Sequence, residues 1–464
     1  LAVIKDFYHS LTKNAFAFKK YCDKDLTLLQ YFLASEIQQI ETWLFPLEKI
    51  SGADSNRLSE SMVVTAFEKN PQLAANIVQR YKSNKSRQTL SALVKQSPLR
   101  CVQVSQLASV FLLQLSSANS DSHYITYWIP ISPLKSIGLF APEFSSNPYV
   151  LQYSMFSLES HDVNVTFFYV PQIVQSLRYD RTGYVEKLII DTAKISVLFA
   201  HQIIWNLLAN CYKGDEGIEE DAIKPTLDRV RERMIKSFSK QHLEFYQREF
   251  EFFNEVTSIS GKLKPYIKKS KAEKKQKIDE EMAVIKVLPD VYLPSNPDGV
   301  VVDINRTSGK PLQSHAKAPF MATFKIKKDV KDSDTGEITT IEKWQAAIFK
   351  VGDDCRQDVL ALQLISIFRT IWSNIGLDVY VFPYRVTATA PGCGVIDVLP
   401  NSISRDMLGR EAVNGLYEYF ITKFGPEDSI EFQNARNNFV KSLAGYSIIS
   451  YLLQFKDRHN GNIM

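Results

Sequence analysis

The sequence lacks several features that would assign it to a specialised class of protein. Five of its 464 residues are cysteine, and their spacing fits neither a zinc site nor a C-x-x-C redox pair. It has no uninterrupted apolar run of about 18 residues, the length of a membrane-spanning helix. The formal net charge is +4, from 55 basic and 51 acidic residues, which argues against a strongly basic nucleic-acid-binding protein. These absences indicate reduced thiols and a location in the cytosol.

What remains is an ordinary globular composition in a long chain. With 464 residues, 45% of them apolar, the chain can form about three domains. The sequence begins at Leu1 rather than at a methionine, and it ends at Met464, directly after Asn462 and Ile463. We therefore expect it to be a piece of a longer polypeptide.

Helical periodicity dominates the first half of the chain. Residues 1–115 repeat apolar positions at helical spacing and predict a block of solenoid-like helix pairs. Residues 116–150 are rich in Pro and Ser, and their prolines would interrupt any long helix, so we expect a connection there. Residues 151–255 predict a second helical block, which includes a buried helix over Val197–Leu208.

A lysine-rich stretch follows within residues 256–290. Eight lysines lie between residues 262 and 277. One interpretation is a solvated linker or an exposed helix face. The alternative is attraction to an anionic membrane surface, where each nearby cation contributes about 1 kcal/mol. Binding to nucleic acid has little support, because Tyr266 is the only aromatic residue between these lysines.

From about residue 285 the apolar period changes from 3.6 to 2, which predicts strands. The predicted strands are Val300–Ile304, Phe320–Ile326, Trp344–Lys350, Val379–Val386 and Gly394–Leu399. Turn residues 305–309 and 332–336 separate the first three strands, and one strong helix follows the third. This layout is typical of the small lobe of a kinase, which we place at residues 291–400. Residues 401–464 are again helical and predict the start of a helical large lobe.

The last residues of the chain carry the clearest chemical signal. Phosphoryl transfer needs a group that receives or orients the hydroxyl proton, ligands for Mg²⁺ and cations on the phosphates. Asp457 is followed five residues later by Asn462, which is the Asp-to-Asn spacing of the protein-kinase catalytic loop. In protein kinases His and Arg precede the Asp, whereas Arg458 and His459 follow it here. The order therefore indicates a different branch of kinases.

A second signal lies at the end of the third predicted strand. Lys350 ends this strand, where its ammonium group can reach a phosphate of ATP. Acidic residues follow and open a helix, where carboxylates suit the positive end of the helix dipole. Asp358 in this helix could pair with Lys350. By itself the pattern is typical of a surface ion pair, but the Asp457 loop about 100 residues later favours a kinase site.

Residues 313–319, which also lie between the first two predicted strands, are a weaker signal. They contain no glycine-rich loop. Ser314 and Lys317 could instead offer a hydroxyl group, backbone N–H groups and a cation to the β- and γ-phosphates.

Taken together, these motifs resemble the phosphoinositide 3-/4-kinase superfamily, and most closely its type III alpha phosphatidylinositol 4-kinases. The resemblance rests on Phe-Lys-Val-Gly-Asp-Asp-Cys-Arg-Gln-Asp (349–358) and Asp-Arg-His-Asn-Gly-Asn (457–462). It extends to residues 292–298, 313–319, 344–354, 382–386 and 388–395. Residues 170–180 and 245–250 are similar to the helical accessory domain of these enzymes, so the resemblance covers about 165–464.

The resemblance implies a site for ATP. Lys350 would contact an ATP phosphate, with Asp358 and Tyr384 around it, and Ser314 and Lys317 would form the phosphate loop. Backbone groups of a hinge would hold the adenine, next to a gatekeeper position. The implied gatekeeper and hinge residues are Ile396, Asp397, Val398 and Leu399.

The resemblance also implies the chemistry and the partners. Asp457 and His459 would act at the inositol hydroxyl and the γ-phosphate, Asn462 would bind Mg²⁺, and Arg458 would be structural. The substrate would be phosphatidylinositol in a membrane. We expect a cytoplasmic protein that is peripheral at the plasma membrane and has scaffold and membrane-anchor subunits.

One motif of the family is not found in the sequence. An Asp-Phe-Gly motif would be expected shortly after Asn462, followed by the activation loop that selects the lipid headgroup. We therefore expect residues 1–464 alone to be inactive, and Lys350→Ala or Asp457→Ala to abolish activity in the full-length protein. The alternatives are a phosphoinositide 3-kinase or related protein kinase, and a non-catalytic helical scaffold with a truncated kinase lobe.

Overall fold

The computed structural model describes residues 1–47, 59–81, 83–115, 120–214, 217–312, 318–332, 335–411 and 415–464, with the backbone alone for 12–22. The chain forms two units. The first comprises residues 1–166 and 179–185, and the second comprises residues 167–178 and 186–464. The expected fold class is confirmed, because helical blocks precede a five-stranded antiparallel sheet that is followed by further helices.

The first unit is helical. Its helices are α1 (Ala2–Leu44), α2 (Glu60–Lys69), α3 (Pro71–Tyr81), α4 (Asn84–Gln96), α5 (Ser105–Leu112), α6 (Pro133–Gly138) and α7 (Pro148–Glu159). Three short 3₁₀ helices lie at Pro98–Arg100, Ser120–Tyr127 and Pro142–Phe144. Prolines begin both α6 and α7, because a proline in the first turn loses no helical hydrogen bond. Stretches that are rich in proline therefore form short helices here.

Aromatic residues fix the core of the first unit. Trp128 stacks on Phe111 with 5.0 Å between ring centroids, and its indole N–H donates to the Val104 carbonyl at 3.1 Å. The Tyr153 hydroxyl donates to the Ile129 carbonyl at 2.7 Å. The indole N–H and the phenol O–H thus both form hydrogen bonds while the rings stay buried, as is usual for tryptophan and tyrosine in a protein core.

The second unit begins with helices. They are α9 (Val170–Ser176), α11 (Val197–Ala209), α12 (Lys224–Lys236), α13 (Lys240–Leu263) and α14 (Lys271–Val284). Helices α8 (Val163–Phe168) and α10 (Tyr184–Ile195) each have residues in both units, and short 3₁₀ helices lie at Leu177–Tyr179 and Lys264–Tyr266. The buried helix predicted over 197–208 is confirmed as α11.

The lysine-rich stretch is helical. A capping box between Ser270 and Glu273 starts α14, and Ile278 and Met282 bury this helix in the same core as the sheet. Lysines 262, 269, 275 and 277 form ion pairs with neighbouring acidic residues. The stretch therefore runs from the end of α13 through a 3₁₀ turn into the first half of α14, and most of its lysines are exposed.

The sheet has the strand order β1-β2-β3-β5-β4, and all neighbouring pairs are antiparallel. Its strands are β1 (Val300–Pro311), β2 (Phe320–Lys331), β3 (Ile338–Val351), β4 (Val386–Ala390) and β5 (Cys393–Asp397). Phe320, Phe324 and Phe349 from β2 and β3 form the centre of the buried face. Strand β3 lies between β2 and β5, and its last residues, 347–351, pair with β5.

Two local predictions about strands were wrong. Residues 305–309 do not form a turn, because β1 continues through them with an irregularity in its register between Asn305 and Lys310. The fourth strand is not at 379–386 but begins at Val386. Val381 is instead buried against α15 and α18, and the Phe382 N–H donates to the Tyr446 hydroxyl at 2.9 Å rather than to a strand.

Further helices flank and follow the sheet. They are α15 (Arg356–Asn374), α16 (Arg405–Glu411), α17 (Leu416–Phe424) and α18 (Ile430–Leu453), with a final 3₁₀ turn at Asn460–Asn462. Helix α15 is the single helix predicted after the third strand. In the part of the chain that the structure describes, we find no helix with the length and apolar character needed to cross a membrane.

Candidate active site

Strand β3 presents Lys350 near its end. Lys350 pairs with Gly394 on β5, and its side chain is 34% exposed. Gly394 is required there, because a Cβ atom would lie 2.6 Å from the Cys355 sulfur. Strand β5 therefore lies close to the loop that enters α15. The Lys350 ammonium on β3 lies next to the acidic residues of that loop.

Asp358 lies in the first turn of α15. The predicted direct pair with Lys350 is not formed, since the Lys350 ammonium lies 3.8 Å from the Asp353 carboxylate instead. Although Asp358 reaches the surface, protein around its carboxyl removes part of its hydration and raises its pKa. The charge of Lys350 acts in the opposite direction, which shows that the two groups are neighbours.

Tyr384 lies near Asp358 and near the loop that follows α18. Its ring is half-buried in a cluster with Leu362 of α15 and Ile449 of α18. Burial raises the pKa of the Tyr384 hydroxyl, the Asp358 charge raises it further, and Arg458 lowers it. The fold therefore brings Lys350, Asp358 and Tyr384 together and places the last loop beside them.

The predicted hinge begins at the last residue of β5. Ile396 is half-buried on β5 opposite Ile348 and Val386. Asp397 is 9% exposed, and its carboxylate accepts a hydrogen bond from the Ser295 hydroxyl at 2.5 Å. Burial raises the pKa of Asp397 to about 6, and the Ser295 hydrogen bond opposes this shift.

The two residues after Asp397 differ in their backbone hydrogen bonds. The Val398 N–H donates to the Ala346 carbonyl at 3.0 Å, and its carbonyl accepts from the Gln345 side chain at 3.2 Å. The Leu399 carbonyl accepts from Ser402 at 2.8 Å. Among the described residues, the Leu399 N–H has no acceptor, so it can donate to a ligand.

The loop after α18 brings its three predicted residues together. The Asn462 amide donates to the Asp457 carbonyl at 2.9 Å and to its carboxylate at 3.3 Å. The His459 Nε2 atom lies 3.9 Å from the Asp457 carboxylate. The Gly461 N–H donates to His459 Nδ1 at 3.0 Å, which places the proton of the neutral imidazole on Nε2.

These loop groups face solvent. The side chains of Asp457 and His459 are 77% and 61% exposed. Asp457 has a φ of 55°, a left-handed conformation that aspartate and asparagine tolerate better than most residues. The Arg458 Nε–H donates to the Lys456 carbonyl at 2.8 Å, in line with the structural role expected for it.

The donor set of the loop fits Mg²⁺ as a partial site. Mg²⁺ prefers oxygen ligands, and it usually combines one or two protein ligands with water and substrate phosphates. The Asn462 amide oxygen could be one such ligand, and the Asp457 carboxylate lies beside it. The described residues contain no group of three or more His, Cys, Asp or Glu side chains that could hold a metal ion. Ser314 and Lys317 lie outside the described residues.

One residue of the site was not predicted. Ser295 holds the Asp397 carboxylate across a separation of 102 residues. Its stretch, 292–298, contributes to the family resemblance, but nothing in the local pattern indicates a contact with the hinge. Only the buried packing of the folded chain shows it.

The antiparallel sheet, the helix after β3, the lysine at the end of that strand and the Asp–Asn loop define a kinase fold of the phosphoinositide type. The description "Phosphoinositide 3-kinase family, accessory domain (PIK domain)" matches residues 51–247. The description "Phosphatidylinositol 3- and 4-kinase" matches residues 344–464. Residues 51–247 and 344–464 therefore match the phosphatidylinositol 3- and 4-kinase family.

Individual relatives narrow this class. The chain is 71% identical over 100% of its length to phosphatidylinositol 4-kinase STT4 of Saccharomyces cerevisiae, covering 24% of that protein. It is 55% identical over 94% of its length to phosphatidylinositol 4-kinase stt4 of Schizosaccharomyces pombe, covering 25%. Phosphatidylinositol 4-kinase alpha 1 of Arabidopsis thaliana is 36% identical over 99% of the chain, with 23% covered. The chain thus spans about a quarter of these relatives.

Proposed function

We propose that the protein containing this chain transfers the γ-phosphate of ATP to the 4-hydroxyl of phosphatidylinositol. The observation that carries the proposal is the position of the last loop. Phe455, two residues before Asp457, packs against the same buried cluster as Tyr384, and Tyr384 itself neighbours Asp358 and Lys350. This arrangement supports a single site in which the residues proposed for phosphate binding and those proposed for proton handling would act together. The names of the relatives support phosphatidylinositol as the substrate.

The hinge is the proposed adenine site. The Leu399 N–H is available to donate to the adenine, whereas the backbone groups of Val398 are already paired. Asp397 precedes them and is held by buried contacts, and Ile396 lies at the gatekeeper position. A hinge of this kind recognises adenine through its backbone and requires a stable backbone conformation.

The proposed phosphate site begins at Lys350. Its ammonium is paired only loosely with Asp353, at 3.8 Å, so a phosphate can take the place of that carboxylate. Asp358 and Tyr384 lie around this ammonium, and Ser314 and Lys317, in the segment between β1 and β2, would add contacts to the phosphates. The positive charge would stabilise the phosphate oxygens as negative charge shifts during transfer.

The proposed chemistry at the lipid hydroxyl belongs to Asp457 and His459. Asp457 would orient the inositol hydroxyl and receive its proton, which is the role of such a carboxylate in phosphoryl transfer. The Nε2–H of His459 would donate to the γ-phosphate or to the hydroxyl oxygen. A bound Mg²⁺, held by Asn462, would neutralise charge on the phosphate oxygens.

We also propose where the protein acts and which kinds of subunit it binds. The substrate is a lipid, so the protein would act as a peripheral protein at a membrane, which we propose to be the plasma membrane. Lysines 264, 268 and 271 are exposed and form no ion pair among the described residues, which suits an anionic surface. Scaffold and membrane-anchor subunits would hold it there.

The test uses the full-length protein with labelled ATP and vesicles that contain phosphatidylinositol. We expect the product to be phosphatidylinositol 4-phosphate, and Lys350→Ala to reduce its formation to background. Lys95→Ala, an exposed lysine on α4, is the matched control and should leave the rate unchanged. A 3-phosphorylated lipid, phosphorylation of peptides alone, or a fully active Lys350→Ala protein would contradict the proposal.

A further inference from the structure

Residues 291–298, here called the strap, connect α14 to β1. The strap is irregular, yet Val291, Leu293, Ser295 and Asn296 are each at most 5% exposed. Buried backbone polar groups nearly always find hydrogen-bond partners, because an unpaired one is costly. The partners of the strap therefore show what it holds together.

Helices α11 and α13 hold the first half of the strap. The Glu249 carboxyl group on α13 accepts from the Tyr292 N–H at 3.0 and 2.9 Å. The Gln202 side chain on α11 donates to the Pro294 carbonyl at 2.6 Å. Glu249 is fully buried and Gln202 is 7% exposed. These bonds fix the strap against a helical scaffold.

The same part of the strap contacts the strands that lead into the hinge. The Thr387 hydroxyl on β4 donates to the Pro294 carbonyl at 2.9 Å. The Ser295 hydroxyl donates to the Asp397 carboxylate at 2.5 Å, and the Asp397 N–H donates to the Arg385 carbonyl at 2.9 Å. Asp397 is therefore held both through its side chain and through its backbone, one residue before Val398.

We propose that Ser295 is a positioning residue for ATP, which acts through Asp397 to hold the backbone of residues 397–399 in the conformation that binds adenine. The inference rests on the proposed function, because it assumes that these residues form the adenine site. Ser295 belongs to a segment fixed on helices α11 and α13, so it connects the hinge to these two helices. Loss of its hydroxyl should loosen the hinge without removing any group that touches the reacting phosphate.

The first test measures lipid phosphorylation by the full-length protein at varied ATP concentration. Ser295→Ala should raise the KM for ATP by about three- to tenfold and leave kcat within about twofold, since a buried hydrogen bond to a carboxylate is lost. Ser154→Ala is the matched control. Ser154 is also fully buried, and its hydroxyl donates to the Ser136 carbonyl at 2.6 Å in the first unit. This control should leave both constants unchanged.

A pH profile separates positioning from a general structural role. Burial and the Asp298 charge raise the pKa of Asp397, whereas the Ser295 hydroxyl, Arg385 and Lys343 lower it. Without the hydroxyl, this pKa rises further, so Asp397 becomes protonated at a higher pH. As the pH falls from 8 to 6, the KM for ATP should therefore begin to rise at a higher pH in Ser295→Ala than in the wild type. Asp397→Asn has no carboxyl group at this position, so its KM for ATP should not show this rise.

A second variant covers the case in which Ser295→Ala does not fold. Ser295→Cys preserves the shape of the side chain but provides only a weak donor, so it should also raise the KM for ATP. Unchanged KM values and unchanged pH profiles in the folded variants would overturn the inference. If the wild type fails to phosphorylate phosphatidylinositol, the proposed function fails instead. The inference is then decided by displacement of a fluorescent ATP analogue with ATP, where Ser295→Ala should again bind ATP more weakly.

Discussion

The hinge and the last loop belong to one proposed site but are stabilised in opposite ways. Asp397 in the hinge is 9% exposed, and its side chain is bound by Ser295 from a distant part of the sequence. Asp457 in the loop has a side chain that is 77% exposed. Its partner Asn462 lies five residues away. The hinge is thus stabilised by long-range buried contacts, and the loop by local exposed ones.

The difference follows from what each region does in the proposed reaction. A hinge recognises adenine through backbone groups, so its conformation has to be fixed before ATP arrives. Buried hydrogen bonds in surroundings of low polarity are strong and make such a conformation rigid. The loop carries side chains that contact lipid and phosphate directly, so they have to remain accessible. Substitutions should therefore separate stability from activity in the two regions.

The largest effect is expected for Asp457→Asn in the full-length protein. Asparagine tolerates the left-handed φ of 55° at this position, so the backbone should be unchanged. Loss of the proton acceptor should lower kcat by about 10²- to 10⁴-fold, with no change in the unfolding temperature. Asp428→Asn, at an exposed position before α18, is the control. A normal kcat would remove Asp457 from the proposed chemistry.

The next effect concerns the buried Glu249, which holds the strap. Burial raises its pKa from 4.5 to about 8, and burial lowers that of the adjacent His201 to about 3, so their contact at 3.3 Å is neutral. The folded protein binds the Glu249 proton more tightly than the unfolded chain does. Stability should therefore fall as the pH rises from about 5 to 8, by up to about 1.4 kcal/mol per pH unit.

Glu249→Gln tests this dependence. Glutamine keeps an acceptor for the Tyr292 N–H but cannot ionise, so the variant should be more stable than the wild type at pH 8. The quantity to measure is the unfolding temperature of both proteins across this pH range. Parallel curves for the two proteins would show that Glu249 does not titrate in this window.

A smaller effect is expected for Gly461→Ala in the loop. An added Cβ would lie 2.8 Å from His459 Cε1 and 3.0 Å from its Nδ1, so the imidazole has to move. We expect kcat to fall by about tenfold, since small displacements of reacting groups are costly, while the unfolding temperature stays the same. Gly409→Ala in α16, where an added Cβ meets no atom within 4 Å, is the control. Equal rates for both variants would argue against a role for His459.

The smallest effect is expected for the ion pair at the rim of the strap. Arg385 donates to the Asp298 carboxylate at 2.5 Å, but the two side chains are 45% and 47% exposed. Exposed ion pairs contribute less than about 1 kcal/mol. Arg385→Gln should therefore lower the unfolding temperature by only a degree or two. A large decrease would mean that the ion pair, rather than the buried hydrogen bonds, holds the strap.

Much of the fold could be predicted from local patterns. The buried helix over 197–209, the helix after β3 and most of the strands follow from apolar periodicity, which reflects which face of each element is buried. The fourth strand could not be placed this way. Apolar residues at 379–386 have the same spacing whether they face a strand or the helices α15 and α18, and the Tyr446 hydroxyl takes the backbone hydrogen bond of Phe382.

The residues of the candidate site could also be predicted only in part. Asp457, His459 and Asn462 lie within six residues, and the local turn brings them together, so their spacing alone predicted a cluster. Lys350 was correctly placed near the end of its strand. Its partner was not, because Asp353 and Asp358 both lie close in sequence, and the entry of the chain into α15 decides which carboxylate comes nearer.

The sequence by itself determined the family, the order of the elements and the residues that carry the proposed chemistry. Those features depend on residue type and on spacing within a few turns of chain. The tertiary structure alone decided how the hinge is held. The hydrogen bond between Ser295 and Asp397 joins residues 102 positions apart, and the pKa of Asp397 reaches about 6 only because several elements remove it from water together. Burial depends on all the surfaces that pack around a group, and no local pattern of residues contains that information.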